Sequence, residues 1–358
     1  MKSMEDYINL EQTIYQNILQ NRNDILQEIT QLSATELASY ESIVIFATGS
    51  SSNAAFAAQP YIASKLQIPV YIEEPSFAAN YMMHLNQKTL YLAISQGGHS
   101  YSTIHIVEEI EKHGGTVFTL TSDLESPISK KAKHVIGMGM GVEEMPYVTA
   151  GYSATILILD LLALELSRQM KRLHTEDYEK ELDEMSKIAR FLPEVIAKAE
   201  QWIEGLKEEF LTADRMIFVG YGSTYGVARE GETKITETVR ISAFGKELEE
   251  YMHGPYIGLA KTDRIFFIEP HGKLEERAEK LKQFLAGHVE TVYTIYADKV
   301  EERQARDLML GVQTSEYLAS LFTTIPVHLL SYKVSQWKGI NLEISAYPEF
   351  DRITGSKI

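Results

Sequence analysis

The feature that most limits the fold of this chain is a repeat. Ile43-Val-Ile-Phe-Ala-Thr-Gly-Ser-Ser-Ser-Asn-Ala-Ala55 and Met216-Ile-Phe-Val-Gly-Tyr-Gly-Ser-Thr-Tyr-Gly-Val-Ala228 superpose as an apolar strand, a Gly-Ser turn and a helix of small residues. A repeat with so long a period duplicates a whole α/β unit rather than a short solenoid motif. After the first copy the pattern alternates. Strands are expected at 42–47, 70–72, 89–94, 116–120 and 134–137, with helices at 54–66, 76–83, 102–113 and 127–133 between them; Ser76 is the expected N-cap of the second. Strands alternating with helices at these lengths read as a parallel sheet covered on both faces. After the second copy, strands at 264–268 and 291–296 and helices at 274–286 and 317–337 repeat the scheme.

The fold class expected is therefore α/β, with two tandem three-layer, Rossmann-like domains at 35–170 and 208–340. A helical lead-in at 1–34 precedes them, a polar helical linker at 171–207 joins them, and a tail at 341–358 follows. A chain of 358 residues is long for one core, which agrees with two domains. The longest apolar stretch, at 154–166, is too short to cross a bilayer and contains Asp160, so no membrane association is expected. The start, Met-Lys-Ser-Met-Glu-Asp, lacks the apolar core of a signal peptide. The chain has no cysteine, which removes disulfides, thiolate metal sites and thiol nucleophiles and points to a cytoplasmic address. With 50 acidic and 34 basic side chains the net charge is −16, and no basic patch suited to nucleic acid is present. An acidic protein of this kind attracts an anion locally, through backbone N–H groups and helix N-termini.

Three Ser/Gly-rich turns follow expected strands, at 48–52, 95–102 and 220–224. In doubly wound sheets ligands bind beyond the carboxyl ends of the strands. Such turns offer free N–H groups, hydroxyls and a favourable dipole to a phosphate, though Ser and Gly also occur there simply to cap a helix. None has the spacing of a nucleotide P-loop or of a dinucleotide fingerprint, so the phosphate in view belongs to a small monophosphate. Glu230, Lys234 and Glu237 fall at i, i+4 and i+7, which reads either as a solvated face with an ordinary ion pair or as a proton-transfer group. His253, in a His-Gly-Pro turn, is either a structural histidine or an acid–base group. The histidines form no metal-ligand array, and neither a metal nor any other cofactor is expected.

Taken together, Thr48-Gly-Ser-Ser51, Ser95-Gln-Gly-Gly-His-Ser100, Lys234-Ile-Thr-Glu237, His253-Gly-Pro255 and the helix ending Lys338-Gly339 resemble the sugar isomerase (SIS) domain family. The resemblance is to the isomerase half of glucosamine-6-phosphate synthase and to stand-alone fructosamine-6-phosphate deglycases, and it covers nearly the whole chain. It implies a sugar-phosphate cradle at Ser51, Ser95, Gln96, Gly97 and Ser100. The family often has Ser at the position of Gly97, where this chain keeps only the backbone N–H. Thr149 matches a segment that lines the sugar. The resemblance further implies Glu237 as general base, His253 as the ring-opening group, Lys234 as the lysine beside the base, and Lys357 as a tail lysine closing over the sugar. Lys234, if charged, favours the anion beside it, so its expected task is to steady a developing oxyanion.

A homodimer or larger assembly with shared active sites is implied, since the family's histidine can come from a second subunit. The synthase carries an N-terminal glutaminase domain with a cysteine nucleophile. This chain opens on the helical lead-in and has no cysteine, so release of ammonia from glutamine by that chemistry is not expected. The activity expected is removal of an amine from a phosphorylated Amadori sugar by enolisation between C1 and C2. An amino-sugar phosphate isomerase or deaminase is the alternative, and a non-enzymatic sugar-phosphate sensor a third.

Overall fold

The computed structural model describes residues 2–301 and 304–358. Among the described residues, ten strands form two parallel sheets. The first contains β1 (Ser42–Ala47), β2 (Val70–Glu73), β3 (Thr89–Ile94), β4 (Val117–Thr121) and β5 (His134–Gly137), in the order β2-β1-β3-β4-β5. The second contains β6 (Arg215–Gly220), β7 (Ser242–Glu247), β8 (Arg264–Glu269), β9 (Thr291–Tyr296) and β10 (Leu308–Met309), in the order β10-β9-β8-β6-β7. Every residue of β3 and β4 is buried, as a parallel strand covered on both faces requires. In both sheets the order turns back beside the first strand, between β1 and β3 and between β6 and β8. This is the switch point where a crevice opens at the carboxyl ends.

The chain forms two compact units. One comprises residues 13–144, 150–186 and 344–358 and holds the first sheet; the other comprises 1–12, 145–149 and 187–343 and holds the second.

In the first unit the helix Gly49–Leu66 packs along Ala150–Gln169. On the opposite face Ile104, Ile106, Val107 and Ile110 of the helix Tyr101–Lys112 meet Phe46, Tyr91 and Ala93. The helix Ala150–Gln169 extends the 154–166 stretch and is long and apolar enough to cross a membrane, but the window that qualifies it is buried throughout inside the protein. It is the core helix of its unit. Its Asp160 is fully buried, and burial, with Glu181 nearby, pushes that carboxyl well above its ordinary range.

Several local expectations change. The Ser-rich stretch after β1 is the first turn of the helix Gly49–Leu66, not a separate turn ahead of it. Glu74, not Ser76, caps the helix Pro75–Tyr81, accepting from the N–H of Phe77 at 2.9 Å; with Pro75 as the first helical residue the cap falls two positions earlier. The edge strands β7 and β10 lack the apolar run that marks the others. Ser-Ala-Phe-Gly-Lys-Glu in β7 alternates between buried and accessible positions. The tail carries a short helix, Phe350–Thr354.

Candidate active site

Two groups of residues matter, one in each unit. In the first unit β1 delivers Ser51 into the first turn of the helix Gly49–Leu66. β3 delivers the loop Ser95-Gln-Gly-Gly-His-Ser100, and Ser100 is the N-cap residue of the helix Tyr101–Lys112. The loop is tightly tied. The N–H of Gly98 donates to the Ser95 carbonyl at 3.0 Å, and the N–H of Ser100 to Ser95 Oγ at 3.4 Å. Thr103 Oγ1 donates to Ser100 Oγ at 3.1 Å. Gly98 has φ +73, and a Cβ there would lie 2.1 Å from Ser126 Oγ, so no other residue fits that corner.

Gln96 is anchored from two sides. Its carbonyl accepts from the N–H of Ser122 at 2.9 Å, and its Nε2 donates to Ser122 Oγ at 3.1 Å. Gly151 leaves the room its side chain occupies, since a Cβ there would approach Gln96 Nε2 to 2.7 Å. Gly97, by contrast, has nothing within 4 Å of an added Cβ, so a serine fits over the loop without displacing a neighbour. Gly97→Ser is therefore expected to fold unchanged and to lower the KM of a phosphorylated substrate about threefold to tenfold through one added hydroxyl contact. Steady-state kinetics would check this, and an unchanged or higher KM would remove Gly97 from the phosphate contacts.

The tail joins the same loop. Lys357 forms an antiparallel bridge with Ser100, the N–H of Tyr101 donates to the Ser356 carbonyl at 3.2 Å, and the N–H of Ile358 to the His99 carbonyl at 3.0 Å. The Lys357 ammonium is exposed and turned to Asp351 Oδ2 at 3.4 Å. A run of 18 residues without periodicity gave no sign of where the tail would end; backbone pairing decides it.

In the second unit the helix Ser223–Lys234 runs into a π-helical turn, Ile235–Val239, ended by Arg240 at φ +61. Widened turns of this kind are frequent at functional sites. Lys234 Nζ lies 2.8 Å from Glu237 Oε2 and 3.4 Å from Glu230 Oε1. Glu230 is 0% and Lys234 1% exposed, whereas the Glu237 side chain is 39% exposed. The solvated-face reading is thus excluded for two of the three residues. Glu230 also faces His328 Nε2 at 3.3 Å, a partner that the spacing of Glu230, Lys234 and Glu237 does not reveal. The signal available was a lone imidazole in the apolar run Ile325-Pro-Val-His-Leu-Leu330.

His253 follows the helix Leu248–Met252, just before Gly254 and Pro255, and its ring is exposed. Thr149 is buried, in the short segment 145–149 that clusters with the second unit. Among the described residues no group of His, Asp and Glu is placed to hold a metal ion.

The two crevices are chemically unlike. Register pairs Ile43 with Leu90 and Met216 with Arg264, so Glu269 of β8 corresponds to Ser95 after β3. Glu269 is buried, accepts from the Tyr221 hydroxyl and from the N–H of His271, and is raised above its ordinary carboxyl range by that burial. A buried carboxyl group stands at the end of β8 where the first sheet offers the Ser95 hydroxyl.

The SIS domain family profile matches residues 36–165 and 209–334, one match on each sheet unit. The chain belongs to the SIS domain family. It is 25% identical over 317 residues, 87% of its length, to the isomerizing glutamine–fructose-6-phosphate aminotransferase of Thermococcus kodakarensis, covering 52% of that protein. The chain spans about half the length of the curated relatives it matches. A Clostridium difficile 630 protein described as a candidate phosphosugar isomerase superposes with a TM-score of 0.89 at 26% identity, over 100% of this chain and 99% of that one. The C-terminal domain of glucosamine-fructose-6-phosphate aminotransferase from Francisella tularensis gives 0.83 at 20% identity, over 94% and 96%, and shares the fold.

Proposed function

We propose that this SIS protein is a phosphosugar enzyme that removes the amine from a ketosamine 6-phosphate, a phosphorylated Amadori compound. The observation that carries the reading is the Lys234–Glu237 pair, a half-exposed carboxylate 2.8 Å from an ammonium that is itself buried.

The reading assigns the phosphate to Ser51 and to the loop of Ser95, Gln96, Gly97 and Ser100, with Thr149 near the sugar and Lys357 closing from the tail. His253 opens the ring by delivering a proton to O5 as the anomeric hydroxyl on C2 becomes a carbonyl. Glu237 takes a proton from C1 and returns one to C2 through an enolamine, leaving an imine at C1. Lys234 steadies the oxygen that gains charge at C2, and that oxygen ends as a hydroxyl carrying the proton the nitrogen gives up in forming the imine. Water adds at C1, and the free amine departs to leave an aldose 6-phosphate. The enolisation moves protons only, the release of the amine consumes one water, and no cofactor takes part. A homodimer with shared sites belongs to the same proposal, with the exposed His253 serving the partner's substrate.

The test is mass spectrometry of products from a mixed panel of phosphorylated glycated amino acids. Free amino acid and hexose 6-phosphate are expected without glutamine. If the panel stays intact while fructose 6-phosphate, ammonia and glucosamine 6-phosphate interconvert, the protein is an amino-sugar isomerase or deaminase. If nothing turns over although hexose 6-phosphate binds, it is a sensor.

A further inference from the structure

The helix Ser320–Trp337 is buried from Ser320 to Ser331, and at its centre sits one imidazole, His328, 0% exposed. Burial of a titratable ring needs a reason. We propose that His328 is a positioning residue for the proton-transfer pair: by donating to Glu230 it keeps Lys234 turned toward Glu237. The inference rests on the reading of Glu237 as the base.

Three contacts form a single file. His328 Nε2 is 3.3 Å from Glu230 Oε1, the same Glu230 oxygen is 3.4 Å from Lys234 Nζ, and Lys234 Nζ is 2.8 Å from Glu237 Oε2. The ionisable groups that act on His328 include Glu230 and Lys234 on the helix Ser223–Lys234 and Glu237 in the π turn. Burial lowers its affinity for a second proton, with Glu230 pulling the other way, so the ring is neutral at pH 7. A neutral imidazole has one N–H, and a carboxylate oxygen only accepts; the 3.3 Å contact therefore fixes the proton on Nε2. That N–H satisfies the Glu230 oxygen which would otherwise draw the ammonium closer. Glu230 and Glu237 both lie within reach of Lys234, and His328 tilts the division toward Glu237. It acts through Glu230 and Lys234 and touches no substrate.

The test compares His328→Gln, whose amide can donate from a similar place, with His328→Leu, which cannot donate. In crystal structures, Lys234 should stay hydrogen-bonded to Glu237 in the Gln variant and withdraw toward Glu230 in the Leu variant. With the substrate found in the product panel, His328→Leu should lower kcat about tenfold and leave KM within about twofold, and His328→Gln should recover most of kcat. A Leu variant that keeps the Lys234–Glu237 bond, or a Gln variant as impaired as the Leu variant, overturns the proposal. If no panel substrate turns over in the unmodified protein, the proposed function falls, yet the position of Lys234 still decides this inference. Should His328→Leu not fold, nitrogen-15 NMR of the unmodified protein decides: the Nε2–H tautomer is expected, and an Nδ1–H tautomer or an imidazolium overturns it.

Discussion

Glu237→Gln should abolish most turnover while leaving ligand binding intact. The side chain keeps its length and an oxygen able to accept from Lys234 Nζ, which lies 2.8 Å away in the parent. Lys234 also retains Glu230 at 3.4 Å, so the buried ammonium is not stranded. What is lost is the ability to take a proton from carbon. Acid–base groups of this kind contribute about 10²–10⁴-fold, and kcat is expected to fall by that factor. Binding of hexose 6-phosphate, followed calorimetrically, should stay within about twofold, because the Ser95–Ser100 loop belongs to a separate set of side chains. Turnover retained by the Gln variant would remove Glu237 as the base. A loss of binding equal to the loss of rate would mean that the substitution had damaged the site rather than its chemistry.

How much was legible in the sequence follows from which forces act locally. β1 and β6 announced themselves because a strand buried on both faces must be apolar, and the Gly-Ser turns after them recur at the same offset. The positions of Ser51, Ser95, Gln96 and Ser100 followed, since a parallel sheet sends its strand ends to one edge. What the sequence could not carry was set at a distance. Lys234, Glu237 and Glu230 have the composition of an ordinary solvated helix face, and only packing against the helix Ser320–Trp337 buries two of them. The π turn is one extra residue per turn, invisible to a 3.6-residue period. The tail pairs with Ser100 through backbone atoms, which leave no side-chain signature. β7 was hidden because an edge strand needs no continuous apolar run, and its Gly245 is required by the Ala228 carbonyl, which an added Cβ would meet at 2.2 Å.

The burial of Lys234 has a consequence for stability that separates it from a surface ion pair. Lys234→Met preserves length and apolar volume and removes the charge. Glu230, 0% exposed, then loses its ammonium neighbour in the interior and keeps a neutral imidazole at 3.3 Å. Removing one partner of a buried pair costs about 3–5 kcal/mol, whereas an exposed helical Glu–Lys pair is worth a few tenths of a kcal/mol. The larger figure is expected. Replacing both members, in Glu230→Gln with Lys234→Met, should recover most of the loss, because an unpaired amide costs much less to bury than a carboxylate. Trp202 and Trp337, the chain's two tryptophans, both fall in residues 187–343, the unit that holds Lys234. Tryptophan fluorescence during urea unfolding thus reports the affected unit by itself, apart from the unit that holds the first sheet. A Lys234→Met variant within about 1 kcal/mol of the parent would show that the ammonium gains nothing from Glu230, and the file of contacts from His328 to Glu237 would lose its middle member.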